Sequence, residues 1–162
     1  MTISEANQQI LEAHKLRAVM YYYLYDEMEK TFGEDMARQI FKRAAFRRGQ
    51  DIQRDYHHFL ETRNYDGLAD KFCKSSPAEG MLFHPGVEEV DSQRAVLIME
   101  TCPLVSAWKE MGLPEEKIKT LCEAASAIDN GTFESETTEL VFTHQIGKGD
   151  SMCRLIIQDK RS

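Results

Sequence analysis

The 162-residue sequence contains no run of about 18 apolar residues, so no segment is long and apolar enough for a membrane-spanning helix. Its start, MTISEANQQ, lacks the charged-then-apolar pattern of a secretory signal. It also lacks an excess of positive charge. The net charge is −7, whereas a general nucleic-acid binder needs a basic face for the phosphates. These absences predict a cytoplasmic protein that binds neither membranes nor nucleic acid.

Several catalytic motifs are also absent. The sequence has no Cys-x-x-Cys pair, no phosphate-binding glycine loop, no Gly-x-Ser-x-Gly elbow and no His-Glu-x-x-His helix. It does have four cysteines. In a cytoplasmic protein, spaced cysteines indicate metal binding or catalysis before disulfides. The alternative is that each cysteine only packs in the core as a small hydrophobic residue.

The pattern along the chain predicts helices, two strands, further helices and two final strands. Thr2 and Glu5 fit a capping box for a helix to about residue 31, and Gly33 precedes a second helix to about residue 56 or beyond. NYDG is then predicted as a turn, followed by a short helix at 67–74. Strands are predicted within 81–90, 94–102, 138–146 and 151–158. Helices are predicted at 104–111 and from residue 114 to about 128, where DNG would end the second.

This order predicts an α+β fold, with N-terminal helices packed on an antiparallel sheet and two further short helices. The length suits a single domain over residues 1–162. We expect a helical half at about 1–75 and a sheet-containing half at about 80–162.

Three cysteines lie at positions that favour chemistry. Cys102 ends a predicted strand and precedes Pro103, so its sulfur meets the positive end of a helix, which favours the thiolate. Cys122 shares a helix face with Asp129, although that carboxylate could simply cap the helix end. Cys153 alternates with apolar residues on the last strand and is predicted to face the core. Three cysteines with a histidine or carboxylate could form a tetrahedral metal site, although their spacing is long and irregular.

The opening helix places two tyrosines, Tyr21 and Tyr25, on one face. Core packing is one interpretation, and a ligand pocket lined by their hydroxyl groups is the other. Arg17 lies one turn earlier on the same stripe, where an arginine usually has a paired anion. Arg17 could therefore give such a pocket a cationic end for an acidic ligand.

Three segments resemble the C-terminal half of the L-2-amino-thiazoline-4-carboxylic acid hydrolase family. They are CPLVSAWKEMGL, LCEAASAID and GKGDSMCRLII. The N-terminal HKLRAVMYYYLYDEMEKTFGEDMA is similar to the long opening helices of that family, so the resemblance covers about residues 10–157. The last segment also resembles the closing strand of small-molecule-binding domains named after vinyl reductase. Both resemblances imply helices on an antiparallel sheet, with the three cysteines close together.

The first resemblance implies a hydrolase that opens a small cyclic amidine or related C–N bond, such as a 2-amino-thiazoline carboxylate. Cys102, His84 and Asp129 are then the expected catalytic residues, and Arg17, Tyr21 and Tyr25 the expected substrate-binding residues. A zinc or iron ion, if bound, would be held by Cys102, Cys122, Cys153 and His84. The alternative is a non-catalytic sensor or binding domain with a structural cysteine-ligated metal. We expect a small-molecule partner, and a homo-oligomer is left open.

Overall fold

The computed structural model describes residues 2–160 and contains seven α-helices in that range. Four of them precede the sheet: α1 (Ile3–Phe32), α2 (Glu34–Gln53), α3 (His57–Thr62) and α4 (Tyr65–Ser75). Three connect the two strand pairs: α5 (Pro103–Glu110), α6 (Glu115–Ala125) and α7 (Ala127–Phe133). Short 3-10 helices lie at Ala78–Gly80 and Ile146–Lys148.

The four strands form one antiparallel sheet. They are β1 (Pro85–Val90), β2 (Arg94–Met99), β3 (Thr138–His144) and β4 (Cys153–Asp159), in the spatial order β1-β2-β4-β3. β1 and β2 form one hairpin, and β3 and β4 form the other. The two hairpins meet where β2 pairs with β4 at the centre of the sheet. This pairing sets Met99 opposite Cys153. The end of β2 and the start of β4 therefore lie side by side at the same end of the sheet, close to the point where the chain continues into Cys102.

The predicted α+β class is confirmed, and so is the capping box at the start of α1. The Thr2 backbone N–H donates to Glu5 Oε2 at 2.7 Å, and the Glu5 N–H donates to Thr2 Oγ1 at 3.2 Å. Gly33 then separates α1 from α2 with a φ of +82°, a conformation that favours glycine.

Two predicted boundaries were wrong. NYDG does not form a turn, because Asn64 is the N-cap of α4 and its Oδ1 accepts a hydrogen bond from the Gly67 N–H at 2.9 Å. DNG does not end the long helix either. The chain breaks at Ser126 and resumes as α7, which contains Asp129 and Gly131. The two helices predicted between the strand pairs are therefore three.

The buried side chains form two groups. One packs the sheet against α3 and α4 and includes Tyr65, Leu97, Phe133 and Cys153. The other joins α1 and α2 to α5 and α6 and includes Tyr25, Phe41, Trp108 and Leu121. Ile146 packs against both groups, so the 3-10 turn between β3 and β4 lies at their junction.

Glycines allow α2 and α7 to approach each other closely. A Cβ on Gly49 would lie 2.8 Å from Gly131 Cα, and a Cβ on Gly131 would lie 2.9 Å from the carbonyl carbon of Phe46. The two backbones therefore touch without intervening side chains. Thr132 Oγ1, which is buried, donates to the Ile128 carbonyl at 2.8 Å within the same helix.

The outward face of α1 is unusually apolar. Leu16 is 68% exposed, Met20 56%, Tyr23 55% and Leu24 55%, and their spacing puts them on one side of the helix. None of the helices within residues 2–160 combines the length and hydropathy needed to cross a membrane. A homo-oligomer stays a prediction, and this exposed apolar face of α1 is a surface through which two copies could associate.

A pair of tyrosine-to-phenylalanine variants tests the packing interpretation of Tyr25. The Tyr25 side chain is completely buried, and its hydroxyl has no hydrogen-bond partner within residues 2–160. We expect Tyr25→Phe to leave the melting temperature unchanged or raise it, because it removes a buried unsatisfied group. Tyr65→Phe is the matched control. It loses the 2.6 Å hydrogen bond to Asp159 Oδ1 and should cost about 1.5 kcal/mol of unfolding free energy. A destabilised Tyr25→Phe protein would instead indicate a partner for this hydroxyl.

Candidate functional site

Cys102 lies where β2 leads into α5. It is the N-cap residue of α5 in extended conformation, and Pro103 occupies the first helical position. The indole N–H of Trp108, on the same helix, donates to the Ala18 carbonyl of α1 at 2.8 Å. This buried hydrogen bond holds α5 against α1, so the position of Cys102 is set by the core and not by a mobile loop.

The predicted stabilisation of a Cys102 thiolate was wrong in its net direction. Burial raises the pKa of the Cys102 thiol, while the amides of Val105 and Leu104 at the start of α5 lower it by less. The cost of removing a thiolate from water exceeds the effect of the helix end here. Cys102 is therefore a neutral thiol at pH 7, and it needs a base before it can act as a nucleophile.

The turn between β3 and β4 covers the other two thiols. The Ile146 N–H donates to Cys153 Sγ at 3.4 Å. Gly147 lies directly on Cys122, since a Cβ at this glycine would overlap the Cys122 side chain. The turn is closed by Asp150, whose Oδ2 accepts from the Gln145 N–H at 2.7 Å. Gly147 was not among the residues predicted from the sequence, although GKGD, in which two glycines flank Lys148, is a signal for a tight turn.

Cys122 and Cys153 are neutral thiols as well. Burial first, and then the nearby Cys102, raises the pKa of Cys122 to about 11. Burial is also the main reason that the pKa of Cys153 rises to about 12, and the charges of Cys102 and Cys122 add to it. The three thiols are thus within electrostatic range of one another, at the junction of the two cores. Without a metal ion, none of them is ionised at neutral pH.

Asp129 is the acidic group of this region. It lies on α7. Its charge raises the pKa of Cys153, although burial and the two other thiols have larger effects. The residue keeps part of its surface exposed, but its carboxyl group lies deep enough that burial raises its pKa to about 7. Burial is the one cause of this shift, and no ion pair from the described part of the chain offsets it. A carboxyl group with this pKa can both accept and donate a proton near neutral pH.

His84 lines a different pocket from the thiols. With Cys73, Glu100 and Asn7 it surrounds an open cavity of about 530 Å³ to which Cys102, Cys122, Cys153 and Asp129 do not contribute. Its Nδ1 lies 3.0 Å from Thr101 Oγ1. Its backbone has a φ of +43°, an uncommon value for a residue other than glycine. His84 thus lines a pocket without the three thiols, and its ring contacts Thr101, the residue before Cys102. Its catalytic role stays a prediction.

No three histidine, cysteine, aspartate or glutamate side chains within residues 2–160 are arranged to hold a metal ion. The predicted ligands Cys102, Cys122, Cys153 and His84 therefore do not fit a zinc or iron site in this arrangement. The bound metal stays an untested prediction.

Arg17 and Tyr21 reach the surface near this region, whereas Tyr25 does not. The Arg17 guanidinium carbon lies 5.8 Å from the centre of the Tyr21 ring. The Tyr21 ring packs edge-on against the Phe41 ring, with 5.2 Å between the ring centres. The charge of Arg17 lowers the pKa of Cys102, but this effect is smaller than those of burial and of the two helix amides. Arg17 is exposed and can therefore meet a negatively charged ligand on the Cys102 side of α1.

The fold is an α+β domain in which helices pack on a four-stranded antiparallel sheet. Its thiols and carboxyl group lie where the two cores meet, an arrangement that could bind or convert a small molecule. The model of the L-2-amino-thiazoline-4-carboxylic acid hydrolase family matches residues 13–157. The chain belongs to this family, which confirms the resemblance seen in the sequence and supports a hydrolase. No curated protein matches the chain.

Solved structures with a similar fold include a trafficking protein particle complex subunit 3 from Naegleria fowleri, covalently bound to palmitic acid. It has a TM-score of 0.56 and 14% identity, over 92% of this chain and 96% of that one. The phenol-responsive sensory domain of the transcription activator PoxR, with phenol, has a TM-score of 0.48 and 16% identity. That match covers 88% of this chain and 73% of the other. At these identities, the first likeness establishes the fold alone.

Proposed function

We propose that this protein hydrolyses a small cyclic amidine that carries a carboxylate, with 2-amino-thiazoline-4-carboxylate as the first candidate. The observation that carries the proposal is that Asp129 lies within electrostatic range of Cys102. The charge of Asp129 raises the pKa of Cys102, after the larger effects of burial and the helix amides. A neutral thiol within electrostatic range of a carboxyl group of pKa about 7 can act as a nucleophile with that carboxylate as its base. The family to which the chain belongs is named for this reaction.

In this proposal, the Cys102 thiol adds to the amidine carbon and Asp129 accepts its proton. The ring C–N bond then breaks. The leaving nitrogen takes that proton from Asp129 and a second proton from the exocyclic amino group, which becomes an imine. Water attacks the same carbon, again giving a proton to Asp129. Cys102 is expelled and takes that proton back as a thiol, and the other water proton moves to the imine nitrogen. The product is S-carbamoyl-cysteine, because the ring C–S bond is kept. Each step uses one carboxyl group as base and then as acid, which a pKa near 7 favours.

The remaining residues have supporting roles. Arg17 pairs with the substrate carboxylate, since an exposed guanidinium binds carboxylates through two parallel hydrogen bonds. Cys122 and Cys153 stay protonated and form a weakly polar wall beside the reacting carbon. Tyr25 is excluded from substrate contact by its complete burial, while Tyr21 can still contact a ligand beside Arg17.

The pH dependence of turnover tests the proposal. With 2-amino-thiazoline-4-carboxylate as substrate, we expect kcat/KM to rise as the pH passes through about 7 and then to level off. The ionised form of Asp129 is the one that accepts the thiol proton. Asp129→Asn should lower kcat/KM by about a hundredfold or more and remove this rise. Product formation is followed by mass spectrometry.

Asp70→Asn is the matched control, because Asp70 is exposed and pairs with Lys74 on α4. It should keep the wild-type rate and pH profile. The alternative of a sensor or binding domain predicts a different result, in which the compound binds with a measurable Kd and no product appears. That result would contradict the enzyme assignment.

A further inference from the structure

A second groove lies between α7 and α2. It has a volume of about 490 Å³. Four residues on two successive turns of α2 line it: Lys42, Arg43, Phe46 and Arg47. Asn130 of α7 and Glu134, which follows α7, complete it on the other side. None of the groups used in the proposed hydrolysis lines this groove.

The groove is positively charged in a protein whose net charge is −7. Three of its lining residues are cations, and Glu134 is the one carboxylate among them. Glu134 Oε1 already accepts a hydrogen bond from Asn130 Nδ2 at 2.8 Å, and Lys42 Nζ is 3.0 Å from Glu123 Oε1. Arg43 and Arg47 therefore account for the positive charge of the groove.

Arg43 and Arg47 differ from the other arginines of α2 and its C-terminal end. Arg38 pairs with Asp35 at 3.0 Å, and Arg48 and Arg54 both approach Asp51, at 4.0 and 3.6 Å. Within residues 2–160, Arg43 and Arg47 make no ion pair, and they are the two arginines that line the groove. Four residues apart on a helix, they lie one turn apart on the same side.

The groove also offers an apolar surface. Phe46 lies between the two arginines in sequence and is partly buried, and Ala127 of α7 lines the groove as well. We propose that this groove binds a small organic anion. Its phosphate or carboxylate group would be held by Arg43 and Arg47, and its aromatic or alkyl body would cover Phe46. Guanidinium groups suit both anions because they can donate two parallel hydrogen bonds.

Titration of the isotopically labelled protein with phenyl phosphate, followed by amide NMR shifts, tests this site. We expect saturable shifts at Phe46 and Asn130. Arg43→Gln and Arg47→Gln should each weaken binding by about tenfold or more, the usual loss for a charge-assisted hydrogen bond. Phe46→Ala should weaken binding of phenyl phosphate but not of inorganic phosphate. Circular dichroism checks that each variant is folded, as expected for exposed arginines.

Two controls distinguish binding in this groove from general charge attraction and from binding near Cys102. Arg48→Gln removes an arginine from the same helix outside the groove, so an equal loss of affinity would indicate general charge attraction and overturn the proposal. Cys102→Ser should bind phenyl phosphate like the wild type, whereas a loss would assign the anion to the Cys102 region. Absence of shifts at Phe46 and Asn130, or equal affinity for inorganic and phenyl phosphate, would also overturn it.

Discussion

Replacing Cys102 with serine is expected to lower turnover of 2-amino-thiazoline-4-carboxylate by about a thousandfold or more, the scale of loss when a covalent nucleophile is removed. The hydroxyl of serine ionises far less readily than a thiol, and a carboxyl group of pKa about 7 is too weak a base for it. Serine is close to cysteine in size, and Cys102 is only partly buried. The variant should therefore fold, and the loss should appear in kcat as well as in kcat/KM.

Cys73→Ser is the control for this experiment. Cys73 is also a partly buried free cysteine, but it lines the His84 pocket and not the Cys102 region. It should keep the wild-type rate. If the Cys102→Ser protein turned over substrate at the wild-type rate, Cys102 would have no part in the mechanism. If Cys73→Ser were the inactive variant, the reaction would belong to the pocket that contains His84.

Gly131→Ala is expected to lower the free energy of unfolding by about 3 kcal/mol, near the upper end of overpacking effects. The added Cβ would overlap the carbonyl group of Phe46 on α2 and lie 3.1 Å from the Gln50 nitrogen. Backbone atoms cannot rotate away as a side chain can, so α7 must move away from α2. Because α7 carries Asp129, the same displacement should also lower turnover. Urea unfolding measures the first effect.

Gly86→Ala is the matched control. A Cβ at Gly86 would meet the side chain of Ile98, at 3.1 Å from Cγ1, and that side chain can adjust. Both variants restrict the unfolded chain equally, so their difference reports the contact in the folded state. Equal stabilities for the two variants would contradict the close approach of α2 and α7.

The parts of the fold that follow local rules could be predicted from the sequence. The capping box at Thr2 and Glu5 and the break at Gly33 depend on residues within one helical turn. The alternation of Cys153, Leu155 and Ile157 correctly predicted a core-facing strand, and all three are buried. The three segments that resemble the family correctly identified it, because the family model matches residues 13–157.

Other features depended on which groups the fold brings together. DNG has the composition of a helix end, but packing against Gly49 makes a helix containing Gly131 favourable. The position of Cys102 at a helix start favours a thiolate, but burial outweighs that effect. His84 is close to Cys102 in the sheet half of the sequence, but it lines a pocket with Cys73 from α4. None of these outcomes depends on neighbouring residues alone.

The sequence by itself determined the order of helices and strands, the α+β class, the negative charge and the family, because these depend on local pattern and composition. Only the tertiary structure decided which titratable groups share an environment. It brought Asp129 of α7 into electrostatic range of the three thiols, placed His84 in a pocket with Cys73, and left Arg43 and Arg47 without an ion pair within residues 2–160. The physical reason is that burial and electrostatic interaction depend on distances in space, which are set by the packing of α5 on α1 and of α7 on α2.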